Sequence, residues 1–71
     1  MVIMPEYIIN KNKDDKGYNE VHKQSCVFLP EEKNRASLGV FTDEIQAVNY
    51  AKSIGYNADG CYYCCPMAHH G

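Results

Sequence analysis

The segment GCYYCCPMAHHG, residues 60–71, contains three of the four cysteines of the chain and two of its three histidines. Cys61 and Cys64 in this segment form a C-x2-C pair, while Cys26 forms an H-x3-C pair with His22. The members of each pair share one turn of chain, so little entropy is lost in bringing them together. Joining the two pairs closes a long loop, and such a staple stabilises a small fold. The spacing therefore predicts that the C-terminal segment is fastened to residues 22–26.

Sulfur and imidazole donors in two local pairs are typical of a structural zinc (Zn2+) site. Zinc in such sites takes four tetrahedral ligands from Cys thiolates and His nitrogens, and a complete set leaves no open position for a substrate. The spacing predicts a metal site formed by His22, Cys26, Cys61 and Cys64. In zinc-finger peptides such a site contributes about 10–16 kcal/mol of apparent binding free energy. That energy is comparable with the net stability of a whole domain, about 5–15 kcal/mol.

Two other uses of the cysteines remain open from the sequence. A disulfide from Cys26 to Cys61 or Cys64 would join the same segments without a metal. Cys61 and Cys64 also have the spacing of a redox dithiol, although such motifs usually open a helix that follows a strand.

The remaining cysteine and histidines are interpreted as bystanders of the zinc site. Cys65 is expected to be a buried or free thiol that points away from Cys64. His69 is the reserve ligand that would replace His22 if the predicted set is wrong. His70 is interpreted as part of a frayed tail.

Composition limits the class of protein. The 71 residues, 45% of them hydrophobic, correspond to one small globular domain, residues 1–71. The net charge of −2 disfavours a strongly basic nucleic-acid footprint, although most of the cationic residues lie in the first half, which allows one local basic face. A signal-peptide pattern and a transmembrane-length apolar run are not found in the sequence, so we expect a cytoplasmic protein without a membrane partner. In a reducing cytosol, cysteines are used for metal binding or catalysis more often than for disulfides.

Turn residues and apolar runs predict an α+β fold. Three short strands are expected at about residues 6–11, 18–23 and 37–41, forming a small antiparallel sheet whose first two strands make a hairpin around Gly17. The sequence NADG, residues 57–60, is predicted to be a turn that leads into a cysteine-bearing C-terminal loop.

One helix of about three turns is predicted between the third strand and the NADG turn. Thr42 is the expected N-cap, followed by acidic residues that the helix dipole favours. Gly55 is the expected residue just beyond its C-terminal end. The apolar stripe of this helix is predicted to consist of Ile45, Ala47, Val48, Ala51 and Ile54.

The order of these residues resembles the Ada-like zinc-binding module, the metal-binding domain of the Ada DNA alkylation-repair protein and of modules appended to some bacterial nucleases. The resemblance covers about residues 20–66 and is carried by the ligand spacings. The chain resembles still more closely a set of small bacterial proteins without an assigned function, whose tails read GCYYCCPxxH. The matching residues are H22-x3-C26, Asn34, Phe41-Thr42, Glu44, Ala47, Gly55-Tyr56 and C61-x2-C64-x-P66.

The resemblance implies a zinc-binding recognition domain, but two positions depart from the Ada pattern. His22 stands where that family has a cysteine, which makes the site less electron-rich and a poorer methyl acceptor. Tyr62 and Tyr63 stand where basic residues usually lie, so they are expected to pack over the metal or, alternatively, to stack on a base. We therefore expect a non-enzymatic domain that binds nucleic acid or a protein, with no small-molecule substrate. A thiol-based enzyme or an alkyl-acceptor protein is the alternative.

Overall fold

The computed structural model describes residues 4–69, which form an α+β fold as the sequence predicts. One helix packs on a mixed four-stranded sheet of strand order β3-β1-β2-β4. Two short 3-10 turns, Glu32–Asn34 and Pro66–Ala68, lie outside the sheet. The main elements are β1 Glu6–Asn10, β2 Asn19–Lys23, β3 Arg35–Val40, α1 Glu44–Ser53 and β4 Ala58–Gly60.

The β1–β2 hairpin follows the predicted turn chemistry. Its strands pair antiparallel, with Ile8 opposite His22. In the connecting loop, the Asp14 side chain accepts hydrogen bonds from the backbone N–H groups of Lys16 and Tyr18. Gly17 has φ +87, the left-handed backbone region that favours glycine. The hairpin is therefore confirmed, and its second strand carries His22 next to its last residue, Lys23.

The third strand pairs antiparallel with β1 and becomes one edge of the sheet. It begins at Arg35, two residues earlier than the sequence indicates. The register shifts between Tyr7 and Ile8, where Gly39 in β3 has φ +102. This irregularity in the ladder is typical of a β-bulge, which increases the local twist of an edge strand.

Helix α1 begins one residue later than the sequence predicts. Asp43, rather than Thr42, is the N-cap, and its side chain accepts a 2.9 Å hydrogen bond from the Gln46 backbone N–H. Thr42 donates its hydroxyl to the Gln46 side chain instead. Thr42 and Asp43 both have good capping chemistry, and the backbone conformation decides between them. Gly55 follows the helix with φ +107, which confirms the predicted end.

The buried side of α1 is narrower than its predicted apolar stripe. Ala47, Val48 and Ala51 are buried, whereas Ile45 and Ile54 are about half exposed. The physical reason is that the small sheet covers only one strip of the helix surface. Glu44 is buried instead, because its carboxylate accepts a 2.8 Å hydrogen bond from the Met67 backbone N–H.

A fourth strand lies where the sequence predicts a turn. The predicted α+β class holds, but the sheet has four strands rather than about three and is mixed rather than wholly antiparallel. The residues Ala58–Gly60 form β4, which pairs parallel with β2. The pairing starts with a backbone hydrogen bond from the Asn19 N–H to the Asn57 carbonyl, 2.9 Å long. Asn, Asp and Gly are typical of turns. Pairing with β2 overrides that preference, and the short strand leads Cys61 to the sheet edge.

The core lies between α1 and one face of the sheet. Tyr7, Ile9 and Val21 supply its large side chains, while four alanines allow the helix and the C-terminal segment to approach closely. Ile8 and His22 are register partners that alternate with these residues and face the other side of the sheet. The buried cluster consists of Tyr7, Ile9, Val21, Leu38, Ala47, Val48, Ala51, Ala58, Cys65 and Ala68.

Candidate metal centre

The parallel pairing of β2 and β4 brings the two predicted half-sites together. In this pairing Val21 lies opposite Gly60, so His22 and Cys61 follow side by side at the C-terminal ends of the two strands. The Cys61 backbone N–H donates a 2.9 Å hydrogen bond to the Val21 carbonyl, which fixes this alignment. The topology thus places the first ligand of each pair side by side.

Two tight turns position the second member of each pair. After β2, the Cys26 N–H donates a 2.9 Å hydrogen bond to the Lys23 carbonyl. After β4, the Cys65 N–H donates a 2.8 Å hydrogen bond to the Cys61 carbonyl, which turns the chain around Cys64. Each turn bends the chain back, so that Cys26 and Cys64 lie near the strand ends they follow.

The four predicted ligands form one group whose donor atoms all lie within 4.8 Å of one another. The Sγ atoms of Cys26 and Cys61 are 4.0 Å apart, and Cys64 Sγ is 4.0 Å from His22 Nδ1. A tetrahedral zinc site with ordinary bond lengths has ligand–ligand distances of about 3.6–3.8 Å. The cluster therefore has the size and the donor set needed to hold a metal ion.

The cysteine sulfurs remain available as metal ligands. All four cysteines, each within residues 4–69, are free thiols, so the disulfide alternative is not realised in this structure. Two sulfurs already accept backbone hydrogen bonds, Cys64 from the Lys23 N–H at 3.3 Å and Cys26 from the Phe28 N–H at 3.4 Å. Such donors stabilise the negative charge that a thiolate carries when it binds a cation.

The orientation of His22 and the neutral form of its ring both suit a metal ligand. Its side chain is 2% exposed, and burial lowers its pKa, which favours the neutral ring that binds metals. While Nδ1 faces Cys64, Nε2 lies 3.9 Å from a carboxylate oxygen of Glu20. A carboxylate beside the second ring nitrogen favours a proton there and leaves the lone pair of Nδ1 for the metal.

The pKa shifts of the thiols indicate that an ion bound in the cluster must carry positive charge. Burial raises the pKa of Cys64 well above the usual range, and a hydrogen bond with Cys26 raises it further. Three sulfurs in so small a volume cannot all be thiolates unless a cation balances their charge. The donor set therefore fits a soft divalent cation such as zinc.

His69 lies outside this group of four. Its Nδ1 atom is 3.0 Å from the Gly60 carbonyl oxygen and 3.4 Å from a carboxylate oxygen of Asp59. The structure thus brings His22 rather than the reserve ligand to the cysteines. His70 falls outside the described residues.

Cys65 lies in the core as expected but does not point away from Cys64. Its side chain is fully buried, and the two Sγ atoms are only 3.8 Å apart. Burial raises the pKa of Cys65 to about 11, so in the absence of metal it is a neutral thiol at physiological pH. It is a free thiol next to the site, outside the four-ligand group.

Tyr62 and Tyr63 are exposed, so the expectation that they pack over the metal is wrong. They are 64% and 68% exposed, and the Tyr63 ring stacks on Phe28 with ring centroids 4.4 Å apart. Val27, 87% exposed, precedes Phe28. The surface formed by Val27, Phe28, Tyr62 and Tyr63 is termed the aromatic patch below, and it borders the four ligands. The turn around Cys64 buries Cys61, leaves Cys64 partly exposed and places the two tyrosines between them on the outside.

Three residues of this region are not identified from the sequence. Phe28 gives no local signal, because its stacking partner lies in the other half-site. Glu20 alternates with His22 along β2, a spacing that indicates a shared face but not a contact. Glu44 has the sequence signal of helix-start charge, yet it also holds the C-terminal segment through Met67.

Comparisons of the chain with protein-family models, with curated proteins and with solved structures gave no significant match. Among residues 4–69, no helix is both long enough and apolar enough to cross a membrane.

Proposed function

We propose that this protein is a small non-enzymatic domain in which a structural zinc ion, held by His22, Cys26, Cys61 and Cys64, fastens the fold. The observation that carries the proposal is the convergence of these four donor atoms to within 4.8 Å. Thiolate and imidazole donors favour zinc over magnesium or calcium, which prefer oxygen. Zinc also takes four ligands, and each of the two half-sites supplies two of them from a strand end and the turn that follows it.

The role of the ion in this proposal is structural because four protein ligands fill a tetrahedral coordination shell. A catalytic zinc keeps one position for water or substrate, and here the fourth position is taken by a cysteine. The ion joins the end of β2 to the end of β4, which is held to the sheet by only three paired residues. It therefore stabilises the edge of the sheet that backbone pairing alone holds least firmly.

Metal analysis tests this proposal directly. Native mass spectrometry of the protein purified without added metal is expected to give one zinc per chain. Removal of the metal by a strong chelator should abolish the cooperative thermal transition, and zinc addition should restore it. A protein that carries no metal and keeps its fold in the chelator would contradict the proposal.

For the working role of the domain, we propose recognition of a protein partner through the aromatic patch. Its four side chains come from both half-sites, so the metal that joins the half-sites also assembles the patch. Adjoining exposed apolar and aromatic side chains are typical of interaction surfaces. Tyrosine and phenylalanine supply large contact area with little loss of side-chain entropy.

Affinity capture with matched variants tests this role. Wild-type protein is expected to retain a specific partner that is lost with Phe28→Ser and Tyr63→Ser, because both substitutions remove the stacked pair. Val40→Ser, an exposed apolar position on β3 outside the patch, is the control and should retain the partner. Equal capture by all variants would show that the patch is not the contact surface.

Nucleic-acid binding is the second candidate function, supported by the exposed rings and by the resemblance to the Ada-like module. The lysines of the hairpin loop, Lys11, Lys13 and Lys16, precede β2, whereas the patch follows it. The five residues of β2 separate them by about 13 Å. This separation disfavours one continuous basic and aromatic groove.

A salt titration tests the nucleic-acid candidate. Binding of single-stranded oligonucleotides that weakens as salt increases would support this candidate, and no binding at low salt would reject it.

A further inference from the structure

Cys65 is a buried nucleophile for which the proposed metal site has no use. Its sulfur is 3.8 Å from Cys64 Sγ, closer than the 4.0 Å between Cys26 Sγ and Cys61 Sγ. The backbone on either side is fixed, since the Cys65 N–H donates to Cys61 and the Cys65 carbonyl accepts from Ala68 at 3.1 Å. The fold therefore keeps a fourth sulfur beside one ligand of the cluster.

The two sulfurs differ in access in a way that suits an oxidisable pair. Cys64 is partly exposed, whereas Cys65 is fully buried beneath it. An oxidant from solvent therefore meets Cys64 before Cys65, and the buried sulfur that can react with the product lies 3.8 Å away. As a ligand of the proposed zinc ion, Cys64 is a thiolate, and a partly accessible thiolate next to a second cysteine is the arrangement that redox-sensing cysteines use.

We infer that Cys64 and Cys65 form a redox pair through which a hydroperoxide releases the metal, with Cys65 as the resolving thiol. The inference rests on the proposed zinc site, because Cys64 is one of its ligands. It identifies the oxidant as a hydroperoxide and assigns Cys65 the role of the resolving thiol.

The reaction is a two-electron oxidation in two steps. The Cys64 thiolate attacks the hydroperoxide, so an S–O bond forms, the O–O bond breaks, and the leaving hydroxide or alkoxide takes a proton from solvent. The Cys65 sulfur then attacks the sulfenic sulfur of Cys64. An S–S bond forms, the S–O bond breaks, and the hydroxide leaves as water with the proton of the Cys65 thiol. Two thiols are oxidised and one peroxide is reduced to water and an alcohol, or to two waters.

Loss of Cys64 leaves the metal with three protein ligands, and zinc affinity falls. The Cys64–Cys65 disulfide is strained, because consecutive Cα atoms lie about 3.8 Å apart, whereas the Cα atoms of an unstrained disulfide are usually about 4.4–6.8 Å apart. A strained disulfide is easily reduced. A dithiol reductant therefore restores both thiols, and zinc binds again.

The test uses the zinc-loaded full chain, whose zinc content is measured before any oxidant is added. Hydrogen peroxide is added at an equimolar amount, released zinc is followed with a chromogenic chelator, and the remaining thiols are alkylated and mapped by mass spectrometry. In the wild type, zinc release is expected to parallel loss of alkylation at Cys64 and Cys65, while Cys26 and Cys61 stay alkylated. Dithiothreitol and zinc should restore the starting state.

Cys65→Ala and Cys65→Ser are the matched variants. They are expected to bind zinc before oxidation. When hydrogen peroxide is added to them in excess, the first peroxide converts Cys64 to sulfenic acid and a second converts it to sulfinic acid, so zinc is lost irreversibly. A Cys26–Cys61 or Cys61–Cys64 bridge in the oxidised wild type would overturn the inference. Reversible release at the wild-type rate in either Cys65 variant would also overturn it. Absence of zinc from the untreated wild type would contradict the proposed function instead, so the two failures are distinguishable.

Discussion

At the scale of single residues, Gly60 shows how closely β4 and the C-terminal segment approach each other. A β-carbon added at this position would lie 2.6 Å from the Cys65 carbonyl oxygen and 2.8 Å from the Ala68 carbonyl carbon. Both are backbone atoms of the segment that follows the second half-site, and they cannot move without displacing it. Gly60 is thus required by packing, whereas other glycines of the fold are required by their backbone angles.

Gly60→Ala is therefore expected to destabilise the zinc-loaded protein by about 1–3 kcal/mol, the usual range for overpacking a tight core position. Urea denaturation with zinc present measures the change in the free energy of unfolding. Gly55→Ala is the comparison variant. No atom lies within 4 Å of the added carbon there, so its loss of stability measures the strain of φ +107 without overpacking. Equal stability of the wild type and Gly60→Ala would show that β4 and residues 65–68 are farther apart than described.

The ligand residues give a second prediction at this scale. Cys61→Ser is expected to abolish zinc binding and the cooperative thermal transition, because a hydroxyl is a poor substitute for a thiolate ligand. Cys65→Ala is the control: it removes a buried sulfur outside the four-ligand group and should keep one zinc per chain with a modest loss of stability. Zinc stoichiometry and thermal denaturation by circular dichroism measure both. Retention of zinc by Cys61→Ser would contradict the assigned ligand set.

At the scale of elements, Glu44 couples the start of α1 to the segment that follows the metal site. Its buried carboxylate accepts the Met67 N–H at 2.8 Å. A hydrogen bond with a charged partner contributes about 1.5–3 kcal/mol, and the negative charge also suits a helix N-terminus. The helix and the segment that follows the candidate metal site are therefore connected by a specific contact as well as by the core.

Glu44→Ala is expected to lower the free energy of unfolding by about 1.5–3 kcal/mol and to increase hydrogen exchange at the Met67 amide. Glu44→Gln should show a smaller loss, since its side-chain carbonyl can accept the same hydrogen bond without the charge. Chemical denaturation and amide exchange measured by NMR provide the two readouts. Unchanged protection of Met67 in Glu44→Ala would show that this contact does not hold the segment.

The elements also show what the sequence can predict and what it cannot. The hairpin, the helix and the two ligand pairs depend on local signals, such as Gly17 in a turn or the three-residue spacing of Cys61 and Cys64. The structure confirms the hairpin and the helix, and it brings the two ligand pairs together. The sequence does not predict β4, because its three residues have turn composition and pair only with β2. The sequence does not predict the exposure of Tyr62 and Tyr63, because burial depends on which side of a turn faces solvent. Asp43 replaced Thr42 as the N-cap because adjacent residues compete for one position.

At the scale of the whole molecule, the proposed metal site would offset the small size of the core. The core uses alanines where a larger domain has bulky side chains, and β4 joins the sheet through three residues. Cys26 and Cys61 are 35 positions apart in the chain. A link between them removes much of the freedom of the unfolded chain, and such a constraint stabilises small folds. On this account, metal binding and folding form one equilibrium, and conditions that weaken one weaken the other.

Acidity provides the test of this coupling. Burial lowers the pKa of His22 below its usual 6.5, so beneath about pH 6.5 the unfolded chain takes up a proton that the folded chain does not. Stability is therefore fully present above that pH and falls as the pH decreases toward the lowered pKa, and protons also displace zinc from the thiolates. Zinc retention and the melting temperature, measured from about pH 8 to 4, are expected to fall together. If zinc is lost while the melting temperature stays constant, the metal does not stabilise the fold.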